Sequence, residues 1–156
     1  MSEPASHPAR IVVGVDGSPE AEQALRWAAR QAELTGSELQ VITAWEYPAF
    51  YGWAPGNPAE TDYAHLSATA QHDTLSAVFG SNQPDWVRTQ VVEGSPGRIL
   101  VDASADADLL VVGSRGYGGL ADAVLGSVST YCVHHAHGPV TIIRPRAEGG
   151  APPTGQ

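Results

Sequence analysis

Short apolar runs alternate with longer stretches of helical period along this chain, and the alternation predicts an α/β fold. Arg10–Val15 (RIVVGV) is β-branched, apolar at consecutive positions, and stops at the turn cluster Asp16-Gly17-Ser18. Ser18 followed by Pro19 is a helix N-cap with a first-turn proline, and Glu20 and Glu22 favour the positive end of the helix dipole. Ala21, Ala24, Leu25, Ala28 and Ala32 recur at helical spacing, and Gly36 supplies a stop. Glu38–Ala44 reads as a second strand. His65–Phe79 reads as a helix with Leu66, Ala70, Leu75, Val78 and Phe79 on or near one face. Trp86–Gly94 alternates like a strand with one wet face, and Ser95-Pro96 repeats the cap-then-proline signal before a helix through Ile99, Leu100 and Ala103. Leu109–Gly113 is a fourth strand, Val124–His135 a last helix and Pro139–Arg144 a last strand.

Strands separated by helices suit right-handed parallel crossovers, so the expectation is a parallel sheet covered on both faces. IVVGV and LLVV are apolar on both faces, as central parallel strands should be. Residues 1–9 and 147–156 are polar and rich in Pro, Gly and Ala, and are expected to be flexible tails around a folded domain at 10–146.

Charge removes several partners. The net charge is −9, from 17 acidic and 8 basic residues, and every basic residue is arginine. No basic run is present, which argues against duplex nucleic acid and anionic membrane. Any bound anion must be held by local backbone dipoles. Cys132 is the single cysteine, which suits a reducing cytoplasm. The opening residues MSEPASHPAR lack the apolar core of a secretory signal, and no apolar run approaches membrane-span length. A soluble, cytoplasmic protein is the expectation.

The chemistry concentrates in Leu109–Ser129, LLVVGSRGYGGLADAVLGSVS. A Walker loop requires a lysine that this chain does not contain. A dinucleotide fingerprint traced as Gly116-Tyr117-Gly118-Gly119-Leu120-Ala121 follows the fourth strand instead of the first, and Ala136 and His137 stand where the ribose-binding acid belongs. The third pattern is G-x2-G-x9-G-[ST], formed by Gly113, Gly116, Gly126 and Ser127. Gly113 ends a strand, Gly116 lets the chain turn back, and Gly126-Ser127 stands at the start of a helix whose amides and dipole favour an anion. Ser127 and Ser129 can add hydroxyl donors. Read as structure alone, the same glycines make a tight connection and Ser127 a helix cap. Asp16, just past the first strand, is either a ribose acceptor or an Asx-turn residue.

These residues resemble the universal stress protein family, from RIVVGVDGS through the glycine–serine motif to the closing PVTIIRP. The resemblance implies five strands in a mostly parallel sheet of order 3-2-1-4-5 with helices on both faces, an adenosine-nucleotide α-hydrolase-like fold. It implies that Gly113, Gly116, Gly126 and Ser127 cradle phosphates, that Val128 and Ser129 assist them, and that Asp16 meets the ribose. Ala44 would offer backbone groups to adenine, Val15 and Val112 would line its pocket, and Arg115 would be the local cation. The implied ligand is ATP, with Mg or Mn accompanying it. The implied assembly is a homodimer through the C-terminal strand PVTIIR. The expected role is a stress-response or signalling module with at most slow hydrolysis, since no paired carboxylates, activated nucleophile or lysine is evident. The alternative is a protein-interaction dimer that binds AMP, cyclic AMP or no nucleotide.

Other residues read more plainly. His134, His135 and His137 diverge near a helix end and are not expected to hold a metal. Cys132 is expected in the core, and Asp102, Asp106 and Asp108 at an exposed helix end and turn. The aromatic stretch at 45–62 folds onto the sheet, covers the ligand, or forms a partner surface.

Overall fold

A computed structural model describes residues 8–47, 62–115 and 125–145. Nine elements follow in chain order: β1 (Arg10–Gly14), α1 (Pro19–Thr35), β2 (Glu38–Trp45), α2 (Tyr63–Phe79), β3 (Val87–Glu93), α3 (Pro96–Ala103), β4 (Leu109–Gly113), α4 (Ser127–His135) and β5 (Val140–Ile143). The five strands form one parallel sheet in the order β3-β2-β1-β4-β5. The chain winds outward from β1 to β3, then returns to the other side of β1 for β4 and β5. That reversal lies between β1 and β4, where doubly wound sheets open a crevice at their carboxyl ends.

Alternation along the central strands feeds two core layers. Ile11, Val13 and Val111 point to one face and pack with the α1 residues Ala21, Ala24, Leu25 and Ala28 and with Leu75 of α2. Val12, Ile42, Leu110 and Val112 point to the other face and pack with Leu100 and Val101 of α3 and Cys132 of α4. Small alanines on the inward stripe of α1 let its backbone lie close to the sheet.

The helix boundaries follow their local chemistry. Ser18 Oγ accepts from the Ala21 amide at 3.1 Å, Pro19 opens α1, and Gly36 ends it at φ +67°. Ser95 and Pro96 open α3, but the Ser95 hydroxyl makes no cap; its carbonyl accepts from the Ile99 amide at 3.0 Å instead.

Helix α2 buries a different stripe from the one expected. Leu66 is 56% exposed, whereas Gln71 and Thr74 are buried beside Leu75. The reason is polar: Gln71 Nε2 donates to the Gln90 carbonyl at 2.9 Å and to Thr43 Oγ1 at 3.1 Å, tying α2 to β2 and β3. Strand β3 also departs from simple alternation. Arg88, Thr89 and Gln90 are all exposed, because β3 is an edge strand and this part of it is left open to water on both faces.

Candidate functional site

Strands β1 and β4 part at their carboxyl ends. Their pairing stops at Val13↔Val111, while β1 stays paired with β2 through Gly14↔Ile42 and β4 with β5 through Gly113↔Ile143. Each strand thus continues with its outer neighbour after leaving the other. The gap opens between the segment at Val15–Ser18 and the segment at Gly113–Arg115.

On the β4 side, one carbonyl organises the rim. Ser114, 4% exposed, donates its amide to the Ile143 carbonyl at 2.8 Å. Its own carbonyl accepts from the Gly126 amide at 2.7 Å and from the Ser129 hydroxyl at 3.0 Å. The chain that leaves after Arg115 is therefore clipped back to β4 where α4 begins. Gly126 is the N-cap of α4 (φ −67°, ψ 169°) and offers no side chain to it. Thr130 donates to the Gly126 carbonyl at 2.9 Å, so the amides of Ser127, Val128 and Ser129 lack an intrahelical acceptor. No acidic residue stands in that turn. These donors and the positive dipole end suit an anion.

The helix on the other side of the gap is the opposite case. The Asp16 carboxylate accepts from the Ser18 amide at 2.9 Å, an Asx-turn, and Ser18 caps Ala21. Glu20 and Glu22 occupy the first turn of α1. Of these two helix starts, α1 is capped and acidic, whereas α4 has no side-chain cap among the described residues and no acid in its first turn. The start of α4 is the one whose chemistry suits an anion.

Gly113 and Arg115 both meet α1. A Cβ built on Gly113 would stand 3.2 Å from Glu20 Cβ and 3.3 Å from the Glu20 carbonyl, so the missing side chain makes room for the first turn of α1. Arg115 Nη2 lies 3.8 Å from Glu20 Oε1, with the two side chains 19% and 20% exposed. This ion pair joins the two sides of the gap.

The base end of the crevice is shaped by β2. In a parallel ladder alternate residues turn their amide and carbonyl to the same neighbour. Ile42 accepts from the Val15 amide at 3.0 Å, and the Trp45 carbonyl accepts from Gly94 on the β3 side at 2.7 Å. Ala44 therefore turns its peptide groups toward the β1 side, past Gly14, where β1 has ended. Beside it, Trp45, Tyr47 and Tyr63 form a cluster, with Trp45–Tyr47 and Tyr47–Tyr63 centroids 5.4 Å apart in edge-to-face contact.

The structure brings Val15, Asp16, Ala44, Gly113, Arg115, Gly126, Ser127, Val128 and Ser129 to one edge of the sheet. Gly116 and most of the aromatic stretch lie outside the described residues. Val15 is buried in the α1–α2 layer and Val112 in the α3–α4 layer, because strand alternation sends them to opposite faces. Ser129 is 2% exposed, and its hydroxyl shares one proton between the carbonyls of Ser114 and Gly126, each at 3.0 Å, so it braces the rim. Sequence reasoning missed two participants. Glu20 was legible only as a dipole partner, and Ser114 occupies a position that the motif leaves free.

Among the described residues no group of three His, Cys, Asp or Glu side chains could hold a metal ion. His135 instead stacks on Tyr131 with centroids 4.1 Å apart. Cys132 is fully buried, and burial pushes its thiol up to about 11. No helix among the described residues is long and apolar enough to cross a membrane.

The profile of the Universal stress protein family matches residues 8–144. The universal stress protein Rv2623 of Mycobacterium tuberculosis is 39% identical over 140 residues, covering 85% of this chain and 46% of that protein. The chain spans about half the length of the curated relatives it matches. Among solved structures, a universal stress protein in complex with cAMP superposes with a TM-score of 0.64 at 25% identity, over 89% of this chain and 98% of that one. The universal stress protein from Archaeoglobus fulgidus in complex with dAMP gives 0.61 at 25% identity, over 86% and 97%.

Proposed function

The chain belongs to the universal stress protein family, and on that premise we propose that the crevice between β1 and β4 binds an adenine nucleotide. The observation that carries this reading is the uncapped, neutral start of α4, clipped onto the carbonyl of Ser114 where β1 and β4 part. The amides of Ser127, Val128 and Ser129 receive the phosphates, and the peptide groups of Ala44 receive the base. Asp16, whose carboxylate accepts from the Ser18 amide, stands beside them on the β1 side and would meet the ribose.

The complete G-x2-G-x9-G-[ST] pattern favours ATP as the ligand. The similar structures whose ligands are cAMP and dAMP favour a second reading with a single phosphate. With no cluster of metal-ligating side chains among the described residues, Mg or Mn would enter on the phosphates of the nucleotide. The protein then works as a binding module in stress response or signalling, in the cytoplasm, as a dimer paired along β5. That strand is the last of the sheet among the described residues, and its residues Val140–Ile143 are all half-buried. Hydrolysis is slow at most, since the chain has no lysine and its sequence shows no paired carboxylates or activated nucleophile.

Native mass spectrometry of the unheated, purified protein tests this reading. An adenine nucleotide released on denaturation is the expected result, and its mass counts the phosphates. A protein that carries none, and takes up none from added AMP, cAMP or ATP, would end the proposal.

A further inference from the structure

We propose that Glu20 sets how many phosphates the site favours, by holding Arg115 across the mouth of the crevice. This rests on the adenine-nucleotide reading above.

The protein carries −9 overall and has no lysine, so a polyphosphate tail has few cations to meet. Arg115, at a position that the motif leaves free, is a cation at the rim, and Glu20 already faces it at 3.8 Å. Both side chains are about four-fifths buried, so water screens this pair less than an exposed one. The backbone fixes the encounter. Gly113 lies against the main chain of Glu20, which sets the first turn of α1 directly beside the turn that carries Arg115.

A single phosphate can be satisfied by the amides at the start of α4 alone. Each further phosphate adds charge that these dipoles do not neutralise, and the added charge must draw Arg115 away from Glu20. With Glu20 in place, every added phosphate therefore returns less binding energy than it would with an uncharged side chain at that position. Glu20 acts on the ligand through Arg115 and is a specificity-determining residue, not a contact.

Glu22 supplies an internal control. It lies in the same helical turn, pairs with Arg26 at 3.3 Å, and has the same charge. Removing it changes the net charge and the helix-dipole term as removal of Glu20 does, but leaves Arg115 held.

The test is equilibrium binding of AMP, ADP and ATP to the wild type and to Glu20→Gln, Glu22→Gln and Glu20→Gln/Arg115→Gln. In Glu20→Gln the ATP affinity is expected to rise about tenfold while AMP changes by less than about threefold. Glu22→Gln is expected to leave the ATP-to-AMP ratio at the wild-type value, and the double variant to lose the gain. Nucleotides that bind every variant with an unchanged ATP-to-AMP ratio, or Glu22→Gln matching Glu20→Gln, would overturn the role of Glu20 and leave the site intact. No binding by any variant would overturn both readings.

Discussion

Gly113 sits so close over α1 that a Cβ placed on it would stand 3.2 Å from the Cβ of Glu20 and 3.3 Å from its carbonyl carbon and oxygen. The neighbour is helix backbone, which cannot swing aside as a side chain would. Gly113→Ala should cost about 1–3 kcal/mol of stability by overpacking, and Gly113→Val more. Urea unfolding checks this. A stability change under about 0.5 kcal/mol for Gly113→Ala would show that α1 shifts freely.

Gly126→Asp separates folding from binding. An aspartate at the N-cap of α4 would accept from the amides assigned to the ligand and favour the positive helix end. Stability is expected to hold or rise by a few tenths of a kcal/mol, while nucleotide affinity falls at least about tenfold. Thermal melting and a binding titration read the two effects independently. Unchanged affinity would remove the start of α4 from the site.

Ser129→Ala removes a buried donor from the carbonyls of Ser114 and Gly126. Ser114 keeps its bond from the Gly126 amide, so one acceptor is weakened and not abandoned. The expected loss is about 1–2 kcal/mol, with faster amide exchange at Gly126. Exchange at Gly126 equal to the wild type would show that the hydroxyl does not hold the rim.

Cys132 makes stability fall in alkali. Burial raises its thiol from 9.0 to about 11, so the neutral form is favoured in the folded state. Below about pH 9 both states hold the proton and the contribution is fully present. Between about 9 and 11 the unfolded chain releases the proton and the native chain keeps it, so stability drops with rising pH. The loss is about 2–3 kcal/mol by the end of that window. Urea midpoints against pH for the wild type and Cys132→Ala should diverge there, and parallel curves would contradict the assignment. The native thiol should also resist maleimide at neutral pH.

Much of this molecule was legible because its signals are local. Ser18-Pro19 and Gly36 bracket α1 through side-chain capping and a positive φ, each of which depends on a few neighbouring residues. The doubly apolar β1 and β4 announced central parallel strands. Helix α2 was harder, because the inward turn of Gln71 is decided by carbonyl and hydroxyl groups on β2 and β3. The glycine–serine motif located the rim, yet its parts have divided duties. Gly113 admits α1, Ser129 braces Ser114, and the amides at the start of α4 remain for a ligand. Glu20 gave no hint of its partner, since Arg115 lies far away in sequence and reaches it only once β4 lies beside β1.

The most direct test follows backbone amide resonances during titration with cAMP, AMP and ATP. Saturable shifts are expected at Val15, Asp16, Ala44 and Ser127–Ser129, with the sheet's opposite edge near Ala32 and Trp86 unmoved. No saturable shift up to about 1 mM ligand, or shifts gathered at that opposite edge, would contradict a nucleotide site between β1 and β4.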